Sequence, residues 1–371
     1  MFWLVLIPFC ICMFFYVIWR FFVIFGNDSK LIPLIISIIL AILAMWTFMY
    51  QWDSKILDII WTIGSRIFVL WFLLMIMLLV ESIISTRYKI NPRIIVWVIV
   101  IIFWLWTYFA LHTKIRNLNI ETDKIENNVK ILLVSDIHVD NVTQDFHVKK
   151  IIKTINEEKP DIVLIAWDLM NKANEDYPIY FKILQKNETP IFAVMWNHDV
   201  MWNEEVYKKI EEIWHIRLLN NQAATFLNGV TLWDWCNAGD FFENCTWTIQ
   251  IIWIKDRSVR WNKDMDQIIQ ESITNISQKY NDNNFTILIT HQPISLEKLK
   301  NYPIDLEVAG HTHRGQFYWM RKIVEWMNDY AYWEYKLWDR TAFVTQWIWT
   351  WWLPFRLWTQ SEMMIINLIK K

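Results

Sequence analysis

The chain is short of glycine, with 6 in 371 residues, where ordinary usage predicts about 26. Glycine supplies positive φ and lets the backbone approach a ligand closely. A fold rich in tight, ligand-cradling loops is therefore excluded unless another letter stands in its place. Tryptophan is over-represented at 27, and the two counts together match a normal glycine complement plus a handful of tryptophans. Some bacterial lineages read the UGA codon as glycine and others as tryptophan. Translation by the second table of a gene written in the first would print Trp at a subset of Gly positions.

Cysteine is also scarce: Cys10, Cys12, Cys236 and Cys245. No CxxC pair exists, which argues against a zinc ribbon or a thioredoxin-type site. Cys236 and Cys245 would pair only in an oxidising compartment, and two buried thiols is the plainer reading. No excess of either charge is present, the net being −2. Nothing global thus points to nucleic acid or a polyanionic partner. Solenoid repeats and low-complexity segments are absent too.

What is abundant is apolar residues, at 55%. Four stretches within the first 115 residues reach the roughly 20 residues a membrane span needs: Phe2 to Phe25, Leu31 to Tyr50, Ile56 to Ile84 and Ile94 to His112. Polar connectors "GNDSK", "QWDSK" and "STRYKINPR" separate them. The first stretch is too long and lacks the basic start of a cleavable signal peptide. Arg20 and Arg66 interrupt the first and third spans. Arg20 is expected to snorkel toward the first connector, and Arg66 to face the bundle interior or to mark a functional group, the structural reading being the plainer for both. Positive residues near the span ends lean toward an extracytoplasmic C-terminal region. The expectation is a multi-pass membrane protein with a helical region over 1–115 and a second domain over 116–371.

Beyond about Asn117 the pattern changes to short apolar runs typical of buried strands: "ILLVS" at 131–135, "DIVLIA" at 161–166, "IFAVM" at 191–195, "FTILIT" at 285–290 and "IDLEVA" at 304–309. Helical stretches at 144–158 and 174–187 lie between the early ones, which predicts βαβ units. Asn228-Gly229 reads as a hairpin turn, and later strands are expected at 341–346 and 361–368.

Polar residues follow directly on these strands. Asp136 and His138 come after the first, Asp168 after the second, and Asn197, His198 and Asp199 after the third. His291 follows the fourth, and His311 and His313 the fifth. Loops at the carboxyl ends of strands are where α/β sheets gather ligands. One Asp-x-His after a strand is more often a capped turn than a metal site, and Asn-His-Asp is compatible with turn chemistry. Five such loops delivering imidazoles and carboxylates to one edge is hard to explain by packing. His147 and His215 read as surface or packing histidines. Imidazole and carboxylate ligands suit Mn, Fe or Zn. Two such ions clamp the attacking and leaving oxygens of an in-line phosphoryl displacement. A metal-bound hydroxide is the nucleophile, and a non-ligand His held by a carboxylate suits protonation of the leaving alkoxide.

The series Asp136-x-His138, Asp168, Asn197-His198-Asp199, His291 and Gly310-His311-Thr312-His313 resembles the calcineurin-like metallophosphoesterases in order and spacing. "GHTHRGQ" at 310–316 and the tail "TWWLPFRLWT" resemble a bacterial membrane-linked subgroup. The resemblance implies a four-layer α/β/β/α sandwich that cleaves phosphomonoesters, phosphodiesters or pyrophosphate bonds. It implies two divalent or trivalent ions, one held by Asp136, His138 and His313 and the other by Asn197, His291 and His311, with Asp168 bridging. His198 would protonate the leaving group, oriented by Asp199.

The chain departs from that family at glycines. Trp167 and Trp196 stand before the bridging Asp and before Asn-His-Asp, and Trp347, Trp349, Trp352 and Trp358 stand where the tail reads naturally with Gly. None falls on a ligand. The expectation is a membrane-anchored dinuclear phosphoesterase whose anchor suggests a lipid-linked or envelope phosphate ester, and no nucleic acid, as substrate. The other reading is an inactive membrane protein that keeps the fold for binding or signalling, favoured only by the literal tryptophans.

Overall fold

The computed structural model describes residues 2–24, 29–49, 71–83, 92–139, 143–166, 169–170, 177–194, 216–219, 223–227, 248–253, 283–312, 318–346 and 359–371, with residues 64, 209, 314, 348 and 356 singly. Two compact units divide between Tyr108 and Phe109.

The N-terminal unit is helical. α1 (Phe2–Ile24) and α2 (Leu31–Met49) are followed by a helical segment over 71–83 and by α3 (Pro92–Leu111). Cys10, Met13, Phe14 and Ile18 of α1 pack with Ala41 of α2, and Trp71 and Met75 join them. Arg20 does not reach for the first connector as expected. It forms an ion pair with Glu81, which compensates a charge that apolar surroundings would otherwise disfavour. Arg66 lies outside the described residues. Among the described residues no helix is long and apolar enough to cross a membrane. Several side chains within α1, α2 and α3 are not among those described, so the four expected transmembrane helices stand without structural support.

The second unit is built on two six-stranded sheets. The first contains β1 (Lys114–Thr122), β2 (Val129–Ser135), β3 (Ile162–Ala166), β4 (Ile191–Val194), β5 (Ile216–Leu219) and β12 (Glu362–Lys370), in the order β1-β12-β2-β3-β4-β5. The second contains β6 (Ala223–Leu227), β7 (Thr248–Trp253), β8 (Phe285–Thr290), β9 (Leu306–Ala309), β10 (Trp333–Leu337) and β11 (Arg340–Val344), in the order β10-β11-β9-β8-β7-β6. β2 to β5 are parallel, as are β7, β8 and β9.

Side-chain alternation explains why the apolar runs are unbroken. Ile131 and Leu133 of β2 meet Ile287 and Ile289 of β8 in the core between the sheets. Leu132 and Val134 point the other way, onto Val148, Ile151 and Ile155 of α4 (Phe146–Glu158) and Phe181 of a 3-10 helix over Tyr177–Lys186. A strand buried on both faces needs apolar residues at every position. On the outer face of the second sheet, Ile252 and Leu288 pack against Ile294, Leu296 and Leu299.

The expected strands and α4 are present, the strands starting or ending within a few residues of expectation. Of the helical stretch expected at 174–187, Tyr177–Lys186 form a 3-10 helix, and 174–176 lie outside the described residues. β1, β5, β7 and β10 were not anticipated. The hairpin turn expected at Asn228-Gly229 lies outside the described residues. A second helix of the domain, α5 (Tyr318–Met327), precedes the β10–β11 hairpin. In that hairpin Leu337 pairs with Arg340, leaving Trp338-Asp339 as a two-residue turn. Trp338 has φ 56 and Trp333 φ 79, a region where glycine is at ease and a bulky side chain is strained.

Candidate metal centre

β2 ends at Ser135, and Asp136 and His138 leave it with φ 56 and 46. Asp and His tolerate the left-handed region better than most residues, and such outliers gather at functional loops. Asp136 is fully buried and His138 is 4% exposed, with His138 Nε2 4.0 Å from Asp136 Oδ1. The loop is pinned on two sides. The Val139 N–H donates to the Leu169 carbonyl at 2.9 Å, and Val139 bridges Met170 in parallel, on the segment directly after Asp168. The Ile348 N–H donates to the Ser135 carbonyl at 3.2 Å.

β8 and β9 are parallel neighbours, with Thr290 opposite Ala309, so the residues that follow leave the sheet side by side. The Gly310 N–H donates to the His291 carbonyl at 3.1 Å. His311 Nδ1 lies 2.8 Å from His291 Nε2, their rings inclined at 67°. Two such nitrogens share a proton when no cation is present. Nitrogens about 2.0–2.1 Å from one ion and at right angles across it would sit about 3 Å apart. The pair therefore fits two ligands of a common ion, and the donor set is the one the expected metals prefer.

Glu307 of β9 holds the loop that carries His291. Its Oε1 accepts from Thr290 Oγ1 at 2.9 Å and from the Ile294 N–H at 2.6 Å, one on each side of that histidine. Burial pushes this carboxyl up to about 8, so it is largely a neutral acid at pH 7. His147 of α4 is also fully buried. Burial first, then Lys150 and His138, hold its imidazole well below the usual value. It is neutral, the packing histidine anticipated.

Arg356, in the tail, is fully buried, and its Nη2 donates to the Gln346 carbonyl at 2.5 Å. Burial lowers it to about 10, against the opposing pull of Glu362 and Asp136, so it stays charged and adds a positive field at Asp136. Glu362 is saturated in turn, accepting from Thr345 Oγ1, the Gln346 N–H, Gln346 Nε2 and Tyr332 OH.

The described candidates thus come together as pairs, Asp136 with His138 and His291 with His311. Among the described residues no group of three His, Cys, Asp or Glu side chains closes on one ion. Asp168, Asn197, His198, Asp199 and His313 lie outside the described residues, as do the six tryptophans at 167, 196, 347, 349, 352 and 358. Sequence reasoning passed over Glu307 and Arg356. The second sits inside the tail quoted above, and Glu307 showed itself as a lone carboxylate within an apolar strand.

Known proteins resemble the chain over this region. The sequence model of the calcineurin-like phosphoesterases matches residues 129–315, a span from β2 through the GHTH loop. An uncharacterized metallophosphoesterase of Helicobacter pylori is 27% identical over 274 residues, covering 72% of this chain and 68% of that protein. One from Campylobacter jejuni is 24% identical and covers 70% of this chain and 64% of its own length. A zebrafish (Danio rerio) protein described as a transmembrane protein with metallophosphoesterase domain is 24% identical over 70% of this chain and 57% of its own. The chain belongs to the calcineurin-like phosphoesterase family.

Proposed function

We propose that the chain is a membrane-anchored, dinuclear-metal phosphoesterase. The observation that carries the reading is the convergence of His291 and His311 to 2.8 Å at the ends of two parallel strands. Beside it stand the buried Asp136 and His138 in strained backbone at the end of β2. Asp136, His138 and His313 would hold one ion, Asn197, His291 and His311 the second, with Asp168 shared. When bound, Mn, Fe or Zn ions supply Lewis-acid polarisation of a phosphoryl oxygen and activation of water near neutral pH. The chain's own part is to hold these ligands deprotonated and in register, with Glu307 fixing the His291 loop. His198, oriented by Asp199, would deliver a proton to the departing alkoxide.

Anchoring is supported by large apolar side chains facing outward along α2, including Leu31, Ile35, Ile39 and Ile42, and along α3, including Trp97, Ile101 and Trp104. A patch of this kind normally meets lipid or another protein. A lipid-linked phosphate ester is the reading that follows from the anchor, and the positive residues near the span ends lean the domain to the extracytoplasmic side. We further propose that Trp167, Trp196, Trp347, Trp349, Trp352 and Trp358 are glycines in the native protein. Support comes from two other tryptophans, 333 and 338, held at φ 79 and 56, where glycine is the natural occupant. UGG codons at 167 and 196 would remove this idea.

The test is purified protein with glycine at 167 and 196, assayed with Mn²⁺ on p-nitrophenyl phosphate and on its bis-ester. Metal-dependent release of nitrophenol is expected. Bound metal without turnover on either substrate would favour a binding protein instead.

A further inference from the structure

α5 lies between the GHTH loop and β10, and the chain on either side of it is tied to that loop. Thr312 Oγ1 donates to the Ala331 carbonyl at 2.7 Å. The Arg314 guanidinium lies over the Tyr332 ring, 4.1 Å from its centroid. Thr312 and Arg314 precede the helix, and Ala331 and Tyr332 follow it. The chain therefore leaves and returns at one place, next to His311. Between the two ties it carries a helix of 10 residues, about 15 Å long.

One side of α5 is left open to solvent. Ile323, Trp326 and Met327 follow the i, i+3, i+4 spacing of a single helix face, and they are 46%, 86% and 68% exposed. Trp326 is the most exposed large apolar side chain among the described residues. Arg321, Val324 and Asn328, on the other side, are half-buried. The polar residues beside the apolar face are balanced in charge. Arg321 and Lys322 both meet Glu325, and Asp329 follows, exposed. Nothing there selects a strongly acidic or basic partner.

We propose that this face of α5 rests in a lipid surface, with Ile323, Trp326 and Met327 at the boundary between headgroups and acyl chains. Area separates lipid from a second copy of the chain. A stable protein interface buries roughly 800 Å² per partner, and three side chains fall short of it, since even an indole offers no more than about 250 Å². A bilayer makes no such demand, because an anchored chain holds the face near lipid at high effective concentration. Indoles also favour that boundary, where one edge is apolar and the other wet. The inference rests on the membrane-anchored reading and adds a contact close to the site. With α5 on the bilayer, the GHTH edge is held near headgroup level, where a lipid-borne phosphate lies.

The test reconstitutes the full-length protein in phosphatidylcholine vesicles and probes it from both phases. Hydroxyl radicals act from water, a carbene-forming diazirine acts from lipid, and peptide mass spectrometry reads the modified residues. Trp326 should oxidise more slowly than Trp338, reversing the order of their exposures, 86% and 66%. Ile323 and Met327 should carry carbene adducts. Adducts on the α5 peptide should be lost in the triple variant Ile323→Ser, Trp326→Ser, Met327→Ser, and their persistence there would count against the contact. Oxidation of Trp326 ahead of Trp338 overturns the proposal. So does protection of α5 from both reagents, the result a protein partner would give. Both of these are read on the parent protein, so they stand whether or not the variant folds. The α2 peptide reports the anchor in the same experiment. Adducts on Ile35 and Ile39 but none on α5 remove this contact and keep the anchor, and adducts on neither remove both. Turnover of p-nitrophenyl phosphate is scored separately, so a lipid-bound α5 in an inert protein keeps the contact and removes the enzyme.

Discussion

Replacing Trp338 tests whether its position is built for glycine. The residue opens the two-residue turn between β10 and β11 at φ 56, while Asp339 is not in the positive-φ region. That is the pattern of a type II′ turn, whose first central position prefers glycine. A side chain there costs about 1–2 kcal/mol through the clash of Cβ with the backbone. Glycine would return about 0.5–1 kcal/mol of this through the greater freedom of the unfolded chain. The indole is 66% exposed, so its own packing adds little. Trp338→Ala removes the indole and keeps the strain, which makes it the reference. Trp338→Gly should exceed Trp338→Ala by about 1 kcal/mol, a rise of about 2–4 °C in melting temperature for a domain of this size. The assay is thermal unfolding of the two variants in the same detergent, followed by near-ultraviolet dichroism. Equal midpoints, or a lower one for glycine, would refute the strain argument. Trp333, at φ 79, is a poorer test because its indole packs on Phe343 at 5.2 Å and under Arg116 at 5.4 Å. Lost packing of about 1–3 kcal/mol should cancel or exceed the relief there.

Three further outcomes follow from the same geometry. Glu307 has a folded-state pKa raised from 4.5 to about 8 by burial. Its contribution to stability is therefore fully present below the unfolded value and is lost as pH rises through the folded one, at up to about 1.4 kcal/mol per unit. Glu307→Gln should flatten the pH dependence of urea midpoints across that window and stabilise the protein above it; an unchanged slope would count against the buried neutral acid. His291→Ala and His311→Ala should each lower Mn²⁺ stoichiometry by one ion per chain in equilibrium dialysis, and full occupancy in both would separate the pair from metal binding. Glu362→Gln replaces an acceptor of four hydrogen bonds with an amide and should cost about 2–3 kcal/mol in urea unfolding; a loss below about 0.5 kcal/mol would show the network to be dispensable.

The sequence made the central strands legible because β2, β3 and β8 are buried on both faces and so read as unbroken apolar runs. β1 was hidden, since "KIRNLNIET" is mostly polar, its alternation is broken at Arg116-Asn117, and it runs directly on from α3. β10 was hidden for a similar reason, its side chains being only partly buried. The site histidines were visible through their place after strands. Glu307 was not, because its role depends on the two loop donors that surround its carboxylate. Arg20 misled because its partner, Glu81, lies 61 residues away in the chain.

The most direct measurement of a dinuclear centre is electron paramagnetic resonance of the protein with glycine at 167 and 196, titrated with Mn²⁺. Two ions about 3.5–4 Å apart should appear as an exchange-coupled multiline signal saturating at two equivalents per chain. An isolated six-line spectrum, or saturation at one equivalent, would contradict a dinuclear centre assembled from these five loops.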